Sequence, residues 1–432
     1  MELPLVGNNA RRWILLGSVA IAAVLIWQAT QIALANHLIQ SQSSERIERG
    51  IRLVPGNADA WDRLGRYRQW DLMNPDPSSA IEDYKNAVQR EPTSPYYWMD
   101  LASAYEDAGN FGDARAAFRH AEGIYPASAD VAWHYGNFLL REGMTEEGIS
   151  EIGKAVRVDP SLLPQAVSRV WHANHDVNLL VDRILPPTLE SYLAAIDFFD
   201  YAQEPQPALL IWRRAVMLGE PIPLKRSFPL IDELIWSDRS EDAEQVWLEA
   251  LRAAGKPHER APDNSVVWDG EFAEPFSDGG LGWRWEPPIG VAIDFDAARQ
   301  LSGTRSVRLD FGGSTNLELN EPLQYVPVQP SRIYRFHGYL RTERISTESG
   351  LRFSIVDPHH LSDTNVLTDN LTGTNGWTEV NAEVQTGPKT HFLLVRAFRR
   401  PSRLFENKLT GTAWIADVSL IASDTELKDS KQ

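Results

Sequence analysis

Hydrophobic positions follow three regimes along the chain. From Trp13 to Ala35 the run WILLGSVAIAAVLIWQATQIALA carries no charge at all. At roughly 1.5 Å per residue it would make a helix of about 34 Å, long enough to cross a hydrocarbon layer of about 30 Å. From residue 37 to about Ala254 small and aromatic residues recur at helical spacing, and Pro92, Pro126 and Pro160 stand 34 residues apart. Beyond residue 264 the pattern changes to strict alternation. Ser306–Phe311, Tyr334–Leu340, Leu351–Val356 and His391–Arg396 each read as a strand with one buried face. Gly312-Gly313, Asn375-Gly376, Thr386-Gly387-Pro388 and Thr410-Gly411 punctuate them as turns.

The flanks of the first segment carry orientation. Arg11 and Arg12 precede it, and the next Lys or Arg is Arg46. The positive-inside bias leaves residues 1–12 as a cytoplasmic tail, makes 13–35 a single-pass anchor in a bacterial inner membrane, and exports everything after Asn36 to the periplasmic side. Trp13 suits an interface, whereas Trp27 falls within the span. Ala33-Leu34-Ala35 has the small-x-small form of a signal-peptidase site, so cleavage is an alternative, though the apolar run exceeds a usual signal core. The Arg-Arg pair fits a twin-arginine signal poorly, and the lack of charge argues against a buried soluble helix.

The 34-residue period is that of helical-hairpin repeats. In the clearest unit, 95–126, Trp98, Leu101, Ala102 and Tyr105 precede a turn at Gly109, and Ala114, Phe118, Ala121 and Pro126 follow. Unit 58–92 has Trp61, Leu64, Gly65, Ala80, Tyr84, Ala87 and Pro92, with a longer turn at Asn74–Ser78. Unit 129–160 has Tyr135, Gly136, Leu139, Gly143, Ile152, Ala155 and Pro160, with Gly148 where alanine is expected. At these positions the chain resembles the tetratricopeptide repeat family. The resemblance decays over 161–255, where Ala208/Trp212/Ala215 and Ala243/Trp247/Ala250 keep the second-helix triplet beside irregular, proline-interrupted first helices. It implies an all-α solenoid whose groove is lined by Asp62, Arg66, Tyr96, Met99, Ser103, Glu106, Asp130, Trp133, Asn137 and Arg141, a mix suited to a protein or peptide partner. The Lys/Asn/Arg set by which some members clamp a C-terminal carboxylate is absent. The alternative is that the groove packs on the chain's own C-terminal domain.

A polar, Pro-broken linker at 256–263 separates the helices from an all-β region at 264–422, and 423–432 is a polar tail. The phrases Val267–Phe272, Gly282–Trp285, Ser302–Leu309, Val326–Pro330, Gly376–Val380 and Thr412–Leu420 resemble a jelly-roll sandwich of the galactose-binding-like, carbohydrate-binding-module type. That resemblance implies glycan contacts from Trp283, Trp285, Tyr325 and Trp377, against a reading in which Trp377 and Trp414 pack the core. It also implies a structural Ca2+ held by Glu271 and Asp417 with loop oxygens near Ser302–Thr304, although Ala416 replaces an acid usual in the closing phrase. Two ordinary surface carboxylates are the alternative.

Charge and chemistry narrow the function. Lys plus Arg number 42 against 59 Asp plus Glu, a net −17 that disfavours nucleic acid as partner. Arg396, Arg399, Arg400 and Arg403 read as a solvated loop. With no cysteine there is neither disulfide nor thiolate chemistry. No nucleophile elbow, zinc-helix pair, phosphate loop or dinucleotide fingerprint appears. His359-His360 between Asp357 and Asp363 lacks ligand spacing, and nothing positions Glu318 and Glu383 as a catalytic pair. The expectation is a non-enzymatic, membrane-anchored envelope scaffold, with repeats holding a protein and a β-domain docking on glycan or protein, in surface polysaccharide assembly or export. A glycan-active enzyme and a β-domain that merely caps the solenoid are the alternatives.

Overall fold

The computed structural model describes residues 8–71, 73–256, 264–286, 288–301 and 304–423. The first seven residues, most of the 256–263 linker, Ser302, Gly303 and nearly all of the polar tail lie outside the described residues. The chain divides into two compact units, up to Pro186 and from Pro187 onward.

In the first unit, α1 (Asn8–Ile39) leads into α2 (Ser44–Leu53). Within α1, Arg12–Ile39 is apolar enough and, at 28 residues, long enough to cross a membrane, with a mean hydropathy of 1.8. Its last turns have a second role. Ala35 and Ile39 are buried with Ile47, Ile51, Ala60 and Leu64 in one core. Gly50 permits this closeness, because a Cβ there would lie 2.7 Å from Ile39 and 3.0 Å from the Ala35 carbonyl oxygen.

Three hairpins follow: α3 (Ala58–Gln69) with α4 (Pro77–Arg90), α5 (Pro95–Asp107) with α6 (Phe111–Ile124), and α7 (Ala129–Arg141) with α8 (Thr145–Val158). Each second helix stops two residues before Pro92, Pro126 or Pro160, since proline cannot continue the hydrogen-bond ladder. Gly109 and Gly143 take the left-handed turn between helices (φ 76 and 75). Asn57, Asp76 and Ser128 cap α3, α4 and α7 by accepting first-turn amide protons. The cores straddle hairpins: Tyr84 and Ile81 of α4 pack with Leu101 and Ala104 of α5, and Phe118 of α6 stacks on Tyr135 of α7. The shorter α9 (Leu163–Asn174) and α10 (Val177–Arg183) complete the unit.

In the second unit α11 (Leu189–Tyr201), α12 (Pro205–Met217), α13 (Phe228–Trp236) and α14 (Ser240–Ala253) form two further hairpins. Trp212 and Trp247, the aromatics of the expected triplets, are buried on α12 and α14. The first helix α11 is a regular 13 residues, so the expected proline interruption falls ahead of it, at Pro186-Pro187.

Among the described residues nine strands build two antiparallel sheets. β1 (Val291–Leu301), β2 (Thr304–Gly312), β4 (Ile333–Ile345), β7 (Gly373–Gln385) and β9 (Thr410–Ala422) form one, in the order β1-β2-β9-β4-β7. β3 (Leu323–Pro327), β5 (Arg352–Val356), β6 (Asn365–Leu367) and β8 (Phe392–Phe398) form the other, in the order β3-β8-β5-β6. One apolar core draws on both sheets, with Leu309, Phe336 and Ile415 from the first and Val326, Phe353 and Val395 from the second.

The helices and this sandwich interlock. Phe228 packs on Gly279, and Trp247 meets Trp268 edge-on at 5.5 Å. Asp232 pairs with Arg284 at 2.5 Å, and Asp238 with His391 at 2.8 Å. Of the four arginines expected in a solvated loop, Arg400 and Arg403 are exposed outside the strands, while the other two depart from it. Arg396 lies on β8, and Arg399 is fully buried, donating to the carbonyls of Ser349 and Leu317 and to the Thr347 hydroxyl. Its guanidinium gives the Leu317 carbonyl a donor and shares the Ser349 carbonyl with the Thr347 hydroxyl.

Gly148 has a physical reason for replacing alanine. A Cβ there would lie 2.8–3.0 Å from the Leu140 side chain and backbone nitrogen. Gly148→Ala should therefore destabilise the unit by about 1–3 kcal/mol through overpacking, outweighing the better helix propensity of about 1 kcal/mol. Urea unfolding followed by circular dichroism reads this; an unchanged or raised midpoint would contradict the close crossing.

Candidate functional site

The first helices of the three hairpins present equivalent positions every 34 residues, so Arg66, Asp100 and His134 form one rung and Gln69, Ser103 and Asn137 the next. Polar side chains link α3 to α5 from these rungs, and a pair beyond them links α5 to α7. Arg66 donates to Asp62 on its own helix and reaches Asp100 on α5, with Nε 3.6 Å from the carboxylate. The Gln69 amide donates to Ser103 Oγ at 3.1 Å and Asp107 Oδ2 at 2.7 Å, and accepts from the buried Tyr84 hydroxyl at 2.8 Å. Arg141 grips Glu106 with two bonds of 2.7 and 2.8 Å, a fork-to-fork pairing.

Of the ten groove positions read from the sequence, Arg66, Ser103, Glu106 and Arg141 belong to this ribbon. Tyr96 and Asp130 are exposed, and Trp133 and Asn137 are half-buried, with Asn137 donating to the Trp133 carbonyl. Two positions differ. Met99 is buried among Ala102, Phe118 and Tyr135, so it fills the hairpin core. Asp62 has no exposed surface and works behind Arg66. Gln69, Asp100 and Asp107 were missed, although the 34-residue register places Asp100 level with Arg66 and Gln69 level with Ser103.

The electrostatics centre on Asp62. Burial pushes its carboxyl up to about 8, with neighbouring Asp100 adding to the rise and Arg66 opposing it. Asp100 is raised as well, again chiefly by burial. One guanidinium facing two carboxyl groups leaves the second negative charge poorly solvated.

In the β-region the opening segment runs beside β9: Val266 donates to the Leu420 carbonyl and Val418 to the Gly270 carbonyl, both at 2.9 Å. This backbone pairing brings Glu271 and Asp417 to one cleft, which Trp283 also lines. Among the described residues no group of three or more His, Cys, Asp or Glu is placed to hold a metal. Asp417 lies 3.9 Å from His337.

The four aromatic positions separate. Trp283 is 3% exposed, packs on Phe272 and donates its indole N–H to the Asp269 carbonyl, so it offers no face to a sugar. Trp285 and Tyr325 are half-buried on adjacent segments, joined by the Arg284–Leu323 bridge, with the Arg284 guanidinium 5.1 Å from the Tyr325 ring. Trp377 is half-buried on β7, in the other sheet. Trp414 is buried, its indole N–H donating to Asp296 at 3.0 Å. Asp357 is buried and organises its loop by accepting from the amides of His359 and His360 and the Thr390 hydroxyl. Glu318 and Glu383 are both exposed, Glu383 on β7 and Glu318 outside the strands.

The tetratricopeptide repeat family model matches residues 74–129 and, overlapping them, 100–160. These hairpins are tetratricopeptide repeats. Small glutamine-rich tetratricopeptide repeat-containing protein 2 of Mycosarcoma maydis is 31% identical over 86 residues, which is 20% of this chain. The match spans about a quarter of that relative, 24% of its length. Among solved structures, MamA protein aligns at 17% identity over 40% of this chain and 91% of its own, with a TM-score of 0.32. YrrB, described as a TPR protein with an unusual peptide-binding site, aligns at 14% identity over 44% of this chain and 84% of its own, with a TM-score of 0.27.

The buried carboxyl in the tetratricopeptide ribbon gives the first unit a definite pH response. Asp62 binds its proton more tightly folded than unfolded, where it titrates near 4. Its contribution to stability is therefore full below about pH 4, declines as pH rises toward about 8, and is level above. Asp62→Asn, neutral throughout, should flatten the fall in stability between pH 5 and 8. Unfolding midpoints of the detergent-solubilised chain across that range check this; a slope identical to the native protein would refute it.

Proposed function

We propose that this chain is a non-enzymatic scaffold of a bacterial cell envelope. On this reading α1 anchors it in the inner membrane with its N-terminus cytoplasmic, and both units lie on the periplasmic side. The tetratricopeptide repeats hold a protein or peptide partner along the α3–α5–α7 ribbon. The β-sandwich, taken as a jelly-roll of the carbohydrate-binding-module type, docks on glycan or on a second protein, in the assembly or export of surface polysaccharide. The observation that carries the reading is the repeat-to-repeat ribbon of polar side chains behind a lipid-length apolar helix. A general role in protein–protein interaction follows from the repeats themselves.

A second reading is favoured by the interlock of α13 and α14 with the sandwich. There the sandwich serves as the structural cover of the last helical hairpin and takes no glycan.

Expression of the whole chain in a bacterial host separates these. The full chain is expected to float with membranes, and deletion of 13–35 to release it. Protease added to spheroplasts is expected to digest the rest. In detergent the chain is expected to bind at least one of a panel of bacterial polysaccharides, with Trp285→Ala or Trp377→Ala weakening binding about three- to tenfold, since an aromatic contact is worth roughly 0.5–1.5 kcal/mol. A soluble full chain would overturn the anchor. Absence of any polysaccharide affinity would select the structural-cover reading.

A further inference from the structure

The charge on the α3–α5–α7 face is unbalanced in one direction. Its two cations are already committed: Arg66 lies between Asp62 and Asp100, and Arg141 is held by Glu106 in a bidentate grip. Arg66 can neutralise only one of its two carboxyl partners. Asp107 accepts an uncharged amide from Gln69, and Asp130 is exposed on α7. Asp62 adds an independent sign of an unmet demand. It is 0% exposed, and while Oδ2 accepts from Arg66, Oδ1 finds no donor among the neighbouring groups save the carboxyl of Asp100. A buried acceptor left without a donor is costly, and a nearby positive charge relieves it.

We propose that this face takes a partner segment carrying lysine or arginine, its cation seated on Asp100 and its flanks toward Asp107 and Asp130. This rests on the reading of the repeats as a partner-binding groove, and it gives that groove a ligand chemistry. The acidic carboxylate tail that a basic groove would take is repelled here. Asp100 is the accessible member of the pair, 34% exposed, while Asp62 supplies charge from behind it. When the cation arrives, the proton that the pair holds at neutral pH is no longer needed to balance it, so binding releases a proton to solvent. The other titratable and charged groups facing the pair are Arg66 on α3, Tyr84 on α4, Tyr97 on α5 and His134 on α7.

The test uses the full chain in detergent micelles and fluorescein-labelled twelve-residue peptides in which alanine alternates with lysine, arginine, glutamate or serine. The cationic peptides are expected to bind and the glutamate peptide not to. Asp100→Asn and, separately, the surface change Asp130→Asn should each weaken binding about five- to tenfold. Glu82→Gln, which removes an equal charge on α4, should change it less than twofold. Calorimetry in two buffers of different ionisation enthalpy should report proton release at pH 7, abolished in Asp62→Asn. Equal or tighter binding of the glutamate peptide, no binding of either cationic peptide, or equal losses from Glu82→Gln and Asp100→Asn would overturn the proposal. Should the serine or glutamate peptide bind and be lost on Tyr96→Ala or Trp133→Ala, the groove would stand as a partner site and only its cation preference would fall.

Discussion

Each helical hairpin of this chain has an apolar flank that its own two helices cannot cover. The clusters show this directly, because none is confined to one hairpin: one joins α1, α2 and α3, the next α4 and α5, the next α5, α6 and α7. Burial at roughly 25 cal/mol per Å2 is gained only when neighbours stack, so the array is stable as a whole and weak in pieces. The short residues at the crossings serve the same end. Gly50 and Gly148 stand where any Cβ would hold two helices apart.

In the second unit the irregular segment that opens the β-region supplies the cover. The flank of α13 and α14 that would meet another hairpin meets Gly279, Gly280 and Trp268 instead. This accounts for the decay of the repeat pattern toward residue 255. Ala243, Trp247 and Ala250 remain buried, and Trp247 is the one that reaches the sandwich, against Gly280 and Trp268. Asp232 and Asp238, unremarkable in the sequence, are fixed by Arg284 and His391, 52 and 153 residues further on.

That separation in sequence marks what could and could not be read in advance. The repeats were legible because period, turn glycines and terminal prolines are local and recur. The strands Ser306–Phe311, Tyr334–Leu340, Leu351–Val356 and His391–Arg396 were legible from alternation, and β2, β4, β5 and β8 cover them almost entirely. Burial of individual polar and aromatic residues was not legible. Arg399 sits in a stretch that looks solvated, and its carbonyl partners lie 50 and 82 residues away. Trp283 and Trp285 look alike in the sequence, and both meet the sandwich core, yet only Trp283 is fully enclosed in it while Trp285 stays half-exposed at its margin. Asp100 was overlooked for a simpler reason: its role appears only when the register is read across repeats, where it faces Arg66.

The first helix carries a consequence for how the molecule is processed and how it transmits force. α1 continues without a break past the length needed to cross a bilayer, and its final turns are part of the first core, with Ala35 wholly buried and Ile39 nearly so. No slack segment separates this helix from the repeats. A pull on the helix would load the α1–α2 crossing directly, and tilting of the helix in a membrane would swing that crossing with it. A peptidase acting at Ala33-Leu34-Ala35 would have to open a packed helix, and the cut would strip Ala35 from the core. Detachment and unravelling of the first hairpin would then be a single event.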